Sequence, residues 1–259
     1  MCFIKLSKSK SGSGVQLRSD VLYACGFGVL GLISSLALAW FVLANANFLY
    51  GVWHDYAGIG AAIDKYGPQN RYKPGFADTT RAQRIALFAQ INKEVHGDAT
   101  GLARISYRTH SSRGQTALLR HPEIIHLIDV ARLIDRVAIV AYCCILCWLL
   151  LVGRCLLRKR RLPSIGKQFV AVFGLVAFAS LLIMVIGPER VFNQFHIWLF
   201  PKDHPWFFYY QDSLMSTLMY APYLFGWIAL SLVFLALSFF VIVNSALWWL
   251  TQGIIKKRV

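Results

Sequence analysis

Four long apolar segments constrain the fold of this chain more than any other feature. A helix needs roughly 20 residues to cross hydrocarbon about 30 Å thick, and residues 21–44, 137–157, 169–187 and 218–250 are long and apolar enough to do so. Apolar residues make up 57% of the 259 residues, well above the usage of soluble domains. The sequence predicts a mainly α, polytopic membrane protein with four transmembrane helices and a small extracytoplasmic domain.

Basic residues next to these segments predict the orientation. They cluster in a leader (residues 1–20), in the loop between spans two and three (158–168) and in the tail (251–259). By the positive-inside rule these three segments face the cytoplasm, and four crossings place both termini there. Residues 45–136 then form the extracytoplasmic domain, which ends in an interfacial helix, and residues 188–217 form an aromatic extracytoplasmic loop. The sequence leaves open whether the first span is cleaved after Ala46 or stays as an anchor.

The net charge of +15 does not indicate a nucleic-acid partner, because the basic clusters adjoin membrane spans, where they set topology and attract anionic headgroups. The sequence also lacks a phosphate-binding GxxxxGK[ST] loop, a GxSxG nucleophile turn and an HExxH motif. We therefore expect no nucleotide and no serine nucleophile.

The extracytoplasmic domain carries few clear local signals. Turn residues predict a loop with short elements over residues 53–76, and residues 103–107 have strand character. Thr80 and Gln83 match a capping box, which predicts a helix from Arg81 to Val95 that Gly97 ends.

A helix beginning at His121-Pro122 supplies the first candidate site residues. One face is apolar and the other is polar. His126 and Asp129 are three residues apart, so the carboxylate is expected to orient the imidazole. The alternative is a merely solvated polar face at the membrane interface.

The second candidate lies in the aromatic loop, where His196 stands between Phe195 and Ile197, with Asp212 further along. An ionisable group at a membrane surface is costly unless it is used. A lone histidine among apolar residues is nonetheless more often structural than catalytic, so both interpretations stay open at this point.

Two elements of the chain resemble the bacterial lipoprotein intramolecular transacylase family. Glu123, His126, Asp129 and Val130 match a Glu-x-x-His-x-x-Asp-Val element. A Phe-His-x-x-x-Phe start, followed by Trp, Asp and Pro, is matched by Phe195, His196, Phe200, Trp206, Asp212 and Pro222. The sequence departs from the pattern at His204-Pro205 and at Tyr220-Ala221, which bears on the substrate more than on the fold.

The resemblance implies an enzyme of the bacterial inner membrane that acts at the outer face. It would move an acyl chain from the diacylglyceryl group of a lipoprotein to the α-amine of its N-terminal cysteine, giving a lyso-form lipoprotein. Ester and amine belong to one substrate, so their proximity supplies much of the rate. No cofactor, metal or nucleotide is implied; the partners are the diacylated lipoprotein and membrane lipids.

Site roles follow from the same resemblance. His196 is expected to remove the amine proton and His126 to assist the leaving oxygen, although the two roles are interchangeable. Asp129, Asp212 and Glu123 are expected to support them. The expected substrate-binding residues are Arg132, Arg190, Trp198 and Trp206.

Two other function classes remain compatible with the sequence. A non-catalytic membrane assembly or binding protein would use the same interfacial helix and aromatic loop without proton transfer. A metal-dependent enzyme would use His126, Asp129, His196 and Asp212 as ligands.

Overall fold

The computed structural model describes residues 11–109, 114–158 and 161–256, so residues 1–10 of the predicted leader, Lys159 and Arg160 of the basic loop and the last three residues of the tail lie outside it. The helices are α1 (Ser11–Asn45), α2 (Tyr50–Tyr56), α3 (Ile59–Tyr66), α4 (Arg81–Val95), α5 (His121–Leu157), α6 (Ile165–Ile186), α7 (Pro188–Leu199), α8 (Leu214–Met219) and α9 (Tyr223–Lys256). Strands β1 (Ser106–Tyr107) and β2 (Thr116–Ala117) pair antiparallel.

Four of the described helices are long and apolar enough to cross a membrane: α1 from Asp20 onward, α5, α6 and α9 as far as Gly253. This confirms the predicted fold class. Two of the bounds differ most from the sequence expectation. Helix α1 begins at Ser11, inside the predicted leader, and α5 runs unbroken from His121 to Leu157, so the interfacial helix and the second span are one helix.

The chain divides into two compact units. One consists of Leu36–Ala141 and Leu182–Ala236; the other contains the remaining described residues. We call the first the site unit and the second the basic unit, because the first holds both candidate histidines and the second holds the basic loop between α5 and α6.

The core of the site unit is built where α2, α3, α4 and α8 pack together. Tyr50 is fully buried and stacks on Phe88 with ring centroids 4.3 Å apart. Its hydroxyl donates a hydrogen bond of 2.7 Å to the Leu218 carbonyl. Burial raises the pKa of this phenol, which keeps it a neutral donor. The first element after α1 is thereby tied to α8, almost 170 residues later in the chain.

A left-handed turn separates α1 from α2. Asn47, Phe48 and Leu49 all have positive φ angles, of 53°, 48° and 57°, a conformation that costs an L-residue roughly 1–2 kcal/mol. Side-chain hydrogen bonds hold the turn: Trp53 Nε1 donates to the Phe48 carbonyl, and Asn92 Nδ2 donates to the Ala44 carbonyl. The turn therefore fixes how the chain leaves the end of α1.

The local expectations for this unit are partly met. The Thr80–Gln83 capping box is present and α4 spans Arg81–Val95, as predicted. Residues 53–76 contain the helices α2 and α3 rather than mostly loop. Of the expected strand at 103–107, only Ser106–Tyr107 forms a strand; residues Leu102–Arg104 form a 3₁₀ turn instead.

The basic unit has a small aromatic core. Phe27, Trp148 and Val152 are buried together, and Phe169 lies against Phe240 with ring centroids 5.7 Å apart. Large apolar side chains on α5, α6 and α9 are exposed in this unit, with Val170 77% and Trp249 70% accessible. Such exposure is expected where lipid covers the helix surface.

The capping box of α4 gives a direct stability test. Thr80→Ala removes the acceptor for the Gln83 backbone N–H and should lower the free energy of unfolding by about 1 kcal/mol. Thr80→Ser keeps the acceptor and should behave like the parent protein. Thermal unfolding in detergent measures both; equal midpoints for the alanine and serine variants would contradict the capping role.

Candidate active site

The two predicted histidines meet inside the site unit. His126 lies on α5 and His196 on α7; both are 8% exposed, and their ring centroids are 5.9 Å apart. His196 is therefore on a helix, not in the aromatic loop where the sequence placed it. Pro188 occupies the first turn of that helix, where its missing N–H costs nothing. Phe192, His196 and Phe200 recur every four residues, the spacing of one helix face.

Hydrogen bonding assigns the proton on His196. Its Nδ1 lies 2.7 Å from the carbonyl oxygen of Phe192, an acceptor only, so Nδ1 carries the hydrogen and donates it. The neutral ring then has its lone pair on Nε2. Burial lowers the pKa of His196 below the ordinary value of 6.5, and the hydrogen bond to Phe192 partly offsets that effect. At neutral pH the ring is an uncharged base.

Aromatic rings enclose both imidazoles. Phe200 contacts them both, with centroids 5.0 Å from His126 and 5.2 Å from His196. Trp206 stacks on His196 at 4.9 Å, and Phe208 lies 6.1 Å from His126. These rings restrict water around the imidazoles, so a developing charge between them would be stabilised mainly by the imidazoles themselves.

Asp129 binds a partner that the sequence did not indicate. One carboxylate oxygen accepts a 2.5 Å hydrogen bond from His204 Nδ1, and the other accepts one from Arg132 at 3.2 Å. Both oxygens are thus engaged away from His126, although the sequence predicted that Asp129 would orient that ring. The bond to His204 joins α5 to the segment after α7, between Phe200 and Trp206. A partner 75 residues away leaves no periodic signal; the only hint was the departure from the family pattern at His204-Pro205.

A cavity of about 280 Å³ opens beside this pair. Its wall combines apolar side chains with two guanidinium groups and the Asp129–His204 pair: Asp129, Arg132, Leu133, Arg136, Leu199, Phe200, Pro201 and His204. Phe200 belongs both to this wall and to the contacts of the two catalytic candidates. The cavity therefore adjoins the histidine pair, and Arg136 is a lining residue that the sequence did not single out.

Glu123 has a positioning role that is visible in its contacts. Its side chain is fully buried. It accepts hydrogen bonds from the Arg120 backbone N–H at 2.5 Å, the Ser213 hydroxyl at 2.5 Å and the Met215 backbone N–H at 3.2 Å. The carboxylate thus connects the start of α5 to the start of α8.

The other predicted site residues are placed differently. Asp212 forms an ion pair with Arg71 at 3.3 Å. Trp198 is 77% exposed, and Arg190 is exposed in the first turn of α7; of the predicted aromatic pair, Trp206 alone reaches a histidine. Among the described residues no group of three or more His, Cys, Asp or Glu side chains is placed to hold a metal ion, so the proposed four-residue metal site is not assembled.

Comparison with known proteins supports the resemblance found in the sequence. The model of the family described as lipoprotein intramolecular transacylase Lit matches residues 106–220, which include both His126 and His196. Over this part, a little under half of the chain, the sequence is similar to that family. The predicted resemblance to the family, the predicted class of enzyme and the predicted integral membrane fold are confirmed.

Solved structures of the membrane integral lipoprotein intramolecular transacylase Lit from Bacillus cereus share the fold. One gives a TM-score of 0.62 at 17% identity and covers 97% of this chain and 98% of that one. Another gives 0.61 at 17% identity over 93% and 98%, and a third gives 0.62 at 17% identity over 95% and 98%. The first and third carry a mutation of one histidine. No curated protein sequence matches the chain significantly.

The Asp129–His204 bond predicts a measurable local effect. His204→Ala removes the side chain that ties the segment after α7 to α5, so backbone amides of residues 202–208 should exchange hydrogen for deuterium several-fold faster. Lys202→Ala changes an exposed residue of the same segment and serves as the matched control. Unchanged exchange in His204→Ala would show that the bond does not hold this segment.

Proposed function

We propose that this protein transfers an acyl chain from the diacylglyceryl group of a bacterial lipoprotein to the α-amine of the same molecule's N-terminal cysteine, with His196 as general base and His126 as general acid. The observation that carries the proposal is the placement of two buried imidazoles with ring centroids 5.9 Å apart, one of them with its neutral tautomer fixed. The family match supplies the reaction class.

The reaction moves one proton from nitrogen to oxygen. As the amine nitrogen forms its bond to the ester carbonyl carbon, it loses a proton to Nε2 of His196. The proton then passes from His196 to His126, whose ring is neutral at rest because burial lowers its pKa to about 4. As the bond from the carbonyl carbon to the glyceryl oxygen breaks, that oxygen takes the proton from His126, and both rings are neutral again. The ring centroids lie 5.9 Å apart. No covalent enzyme intermediate is required.

The cavity beside the pair suits the substrate's polar part. Arg132 and Arg136 offer planar donor groups, which bind carbonyl and carboxylate oxygens well. Its apolar residues, Leu133 and Leu199 among them, suit the first methylenes of an acyl chain. We assign the peptide and ester oxygens of the substrate to the arginine side. Trp198 and Arg190, exposed on α7, are assigned to lipid contact.

The location follows from charge and from the span pattern. We propose the bacterial cytoplasmic membrane, with both termini in the cytoplasm and the histidine pair at the outer face. The proposal includes the assignment of the sequence-predicted segments to the two sides of the membrane. The basic residues that adjoin the spans support the orientation, and a lipoprotein N-terminus anchored in the outer leaflet would reach the pair by lateral diffusion.

Replacement of either histidine should nearly abolish turnover. His126→Ala and His196→Ala each remove acid–base help worth about 10² to 10⁴ in rate, while the protein should still accumulate in the membrane. His121→Ala, an exposed histidine on the same helix as His126, is the matched control. Mass spectrometry of lipoprotein N-termini from expressing bacteria reports the product. Most of the activity surviving in an alanine variant would exclude the residue replaced, and absence of the product in bacteria that express the parent protein would favour the non-catalytic alternative.

The pKa of His196 gives a pH prediction. Burial lowers that pKa below the ordinary value of about 6.5, so the neutral base already predominates at pH 7 and is lost as the pH falls through the lowered pKa. NMR titration of ¹³C-labelled histidine rings, with His196 assigned through its absence in His196→Ala, should give a midpoint below 6.5. A midpoint at or above 6.5 would remove the support for His196 as the neutral base.

A further inference from the structure

A second cavity lies in the basic unit, and neither histidine of the pair lines it. It measures about 520 Å³ and opens among the ends of α1, α5 and α6, next to the loop that joins the last two. Arg154, Arg161 and Lys167 line it, together with Asp20, Tyr23 and Ser164 among others. None of its lining residues belongs to the candidate active site. The acyl-transfer proposal therefore leaves this cavity unexplained.

The charge of the wall favours an anion. Three cationic side chains face one carboxylate, so the described lining carries an excess of two positive charges. Lys167 and Arg161 lie close to the start of α6, and Arg154 lies in the last turn of α5. At 0.15 M ionic strength electrostatic interactions are screened over about 8 Å. A group bound in the cavity would lie closer than that to the cationic side chains, so salt would screen their attraction only in part.

The depth of the cavity in the membrane follows from the helix ends. The apolar stretches begin at Asp20 on α1 and Ile165 on α6, and end at Leu157 on α5. Residues at such ends lie at the level of lipid headgroups. Leu151, Leu162 and Pro163 give the same cavity an apolar side. A ligand here would have an anionic group in contact with the arginines and an apolar part directed along the helices.

A polar contact stabilises the wall at the α1 side. The hydroxyl of Tyr23 and the thiol of Cys155 are 3.8 Å apart, within range of a hydrogen bond to sulfur, and Cys155 is buried. This contact joins α1 to α5 at Cys155, the residue that follows Arg154. The cavity is thus framed by three helices of one unit and is not a gap between loose surface side chains.

We propose that this cavity binds the phosphate of an anionic glycerophospholipid, with Arg154, Arg161 and Lys167 around the phosphate and the glycerol and first methylenes against the leucines. Each basic residue near a membrane surface contributes about 1 kcal/mol to the attraction of an anionic lipid. Loss of two of them should weaken binding about thirtyfold.

Native mass spectrometry of the full chain in detergent tests the site. Phosphatidylglycerol is titrated against phosphatidylcholine with identical acyl chains, and inorganic phosphate is added in a separate arm. The double variant Arg154→Gln/Lys167→Gln is compared with Arg158→Gln, a neighbouring exposed arginine that does not line the cavity. Size-exclusion chromatography checks folding; should the double variant not be monodisperse, Arg161→Gln is measured in its place.

We expect the parent protein and Arg158→Gln to retain phosphatidylglycerol in preference to phosphatidylcholine. The double variant should retain phosphatidylglycerol about thirtyfold more weakly. A single charge lost in Arg161→Gln should weaken retention about fivefold. Parent-like retention in the cavity variants would overturn the site. Displacement of the lipid by inorganic phosphate alone would overturn the lipid assignment in favour of a free-anion site.

Discussion

The buried carboxylate of Glu123 is the interaction on which the arrangement of the site unit depends. It is fully inaccessible to solvent and accepts hydrogen bonds from the Arg120 and Met215 backbone amides and from the Ser213 hydroxyl. A buried charge is tolerated only when hydrogen bonds replace its hydration. Because its donors come from the start of α5 and from residues 213–215, the two segments are held in one register. His126 lies three residues further along α5 and inherits that placement.

The second fixed point is Asp129, which lies three residues beyond His126 and six beyond Glu123 on α5. Its bond to His204 holds the chain between Phe200, which contacts both imidazoles, and Trp206, which stacks on His196. Glu123 thus holds the C-terminal end of the aromatic segment 200–213 through Ser213, and Asp129 holds its N-terminal part through His204. Both carboxylates act on the histidines through the backbone and the aromatic rings, so they are positioning residues. The catalytic candidates are the imidazoles alone.

The sequence predicted those parts of the protein that have a local or compositional signal. The lengths of the apolar segments predicted the four spanning helices, and the capping pair Thr80 and Gln83 predicted where α4 begins. His126 and His196 were found through their short sequence motifs, but neither motif indicates how close the two rings lie in the folded protein. The helical state of α7 was missed because its aromatic residues dominated the pattern, while its signal lay in Pro188 and in the four-residue spacing of Phe192, His196 and Phe200. His204 and the ion pair of Asp212 with Arg71 join residues 75 and 141 positions apart, and no local pattern reports such contacts.

In the proposed mechanism, the low basicity of a buried imidazole decides when His196 can act. A free α-amine has a pKa of about 7.7 to 8.0, whereas burial lowers the pKa of His196 below its ordinary value of about 6.5, so proton transfer from a resting ammonium to His196 is uphill. The nitrogen becomes far more acidic once it has attacked the ester carbonyl, because it then carries positive charge next to the forming C–N bond. Transfer to Nε2 is downhill at that stage. The same burial that weakens His196 as a ground-state base therefore confines its action to the intermediate, in which deprotonation prevents the amine from leaving again.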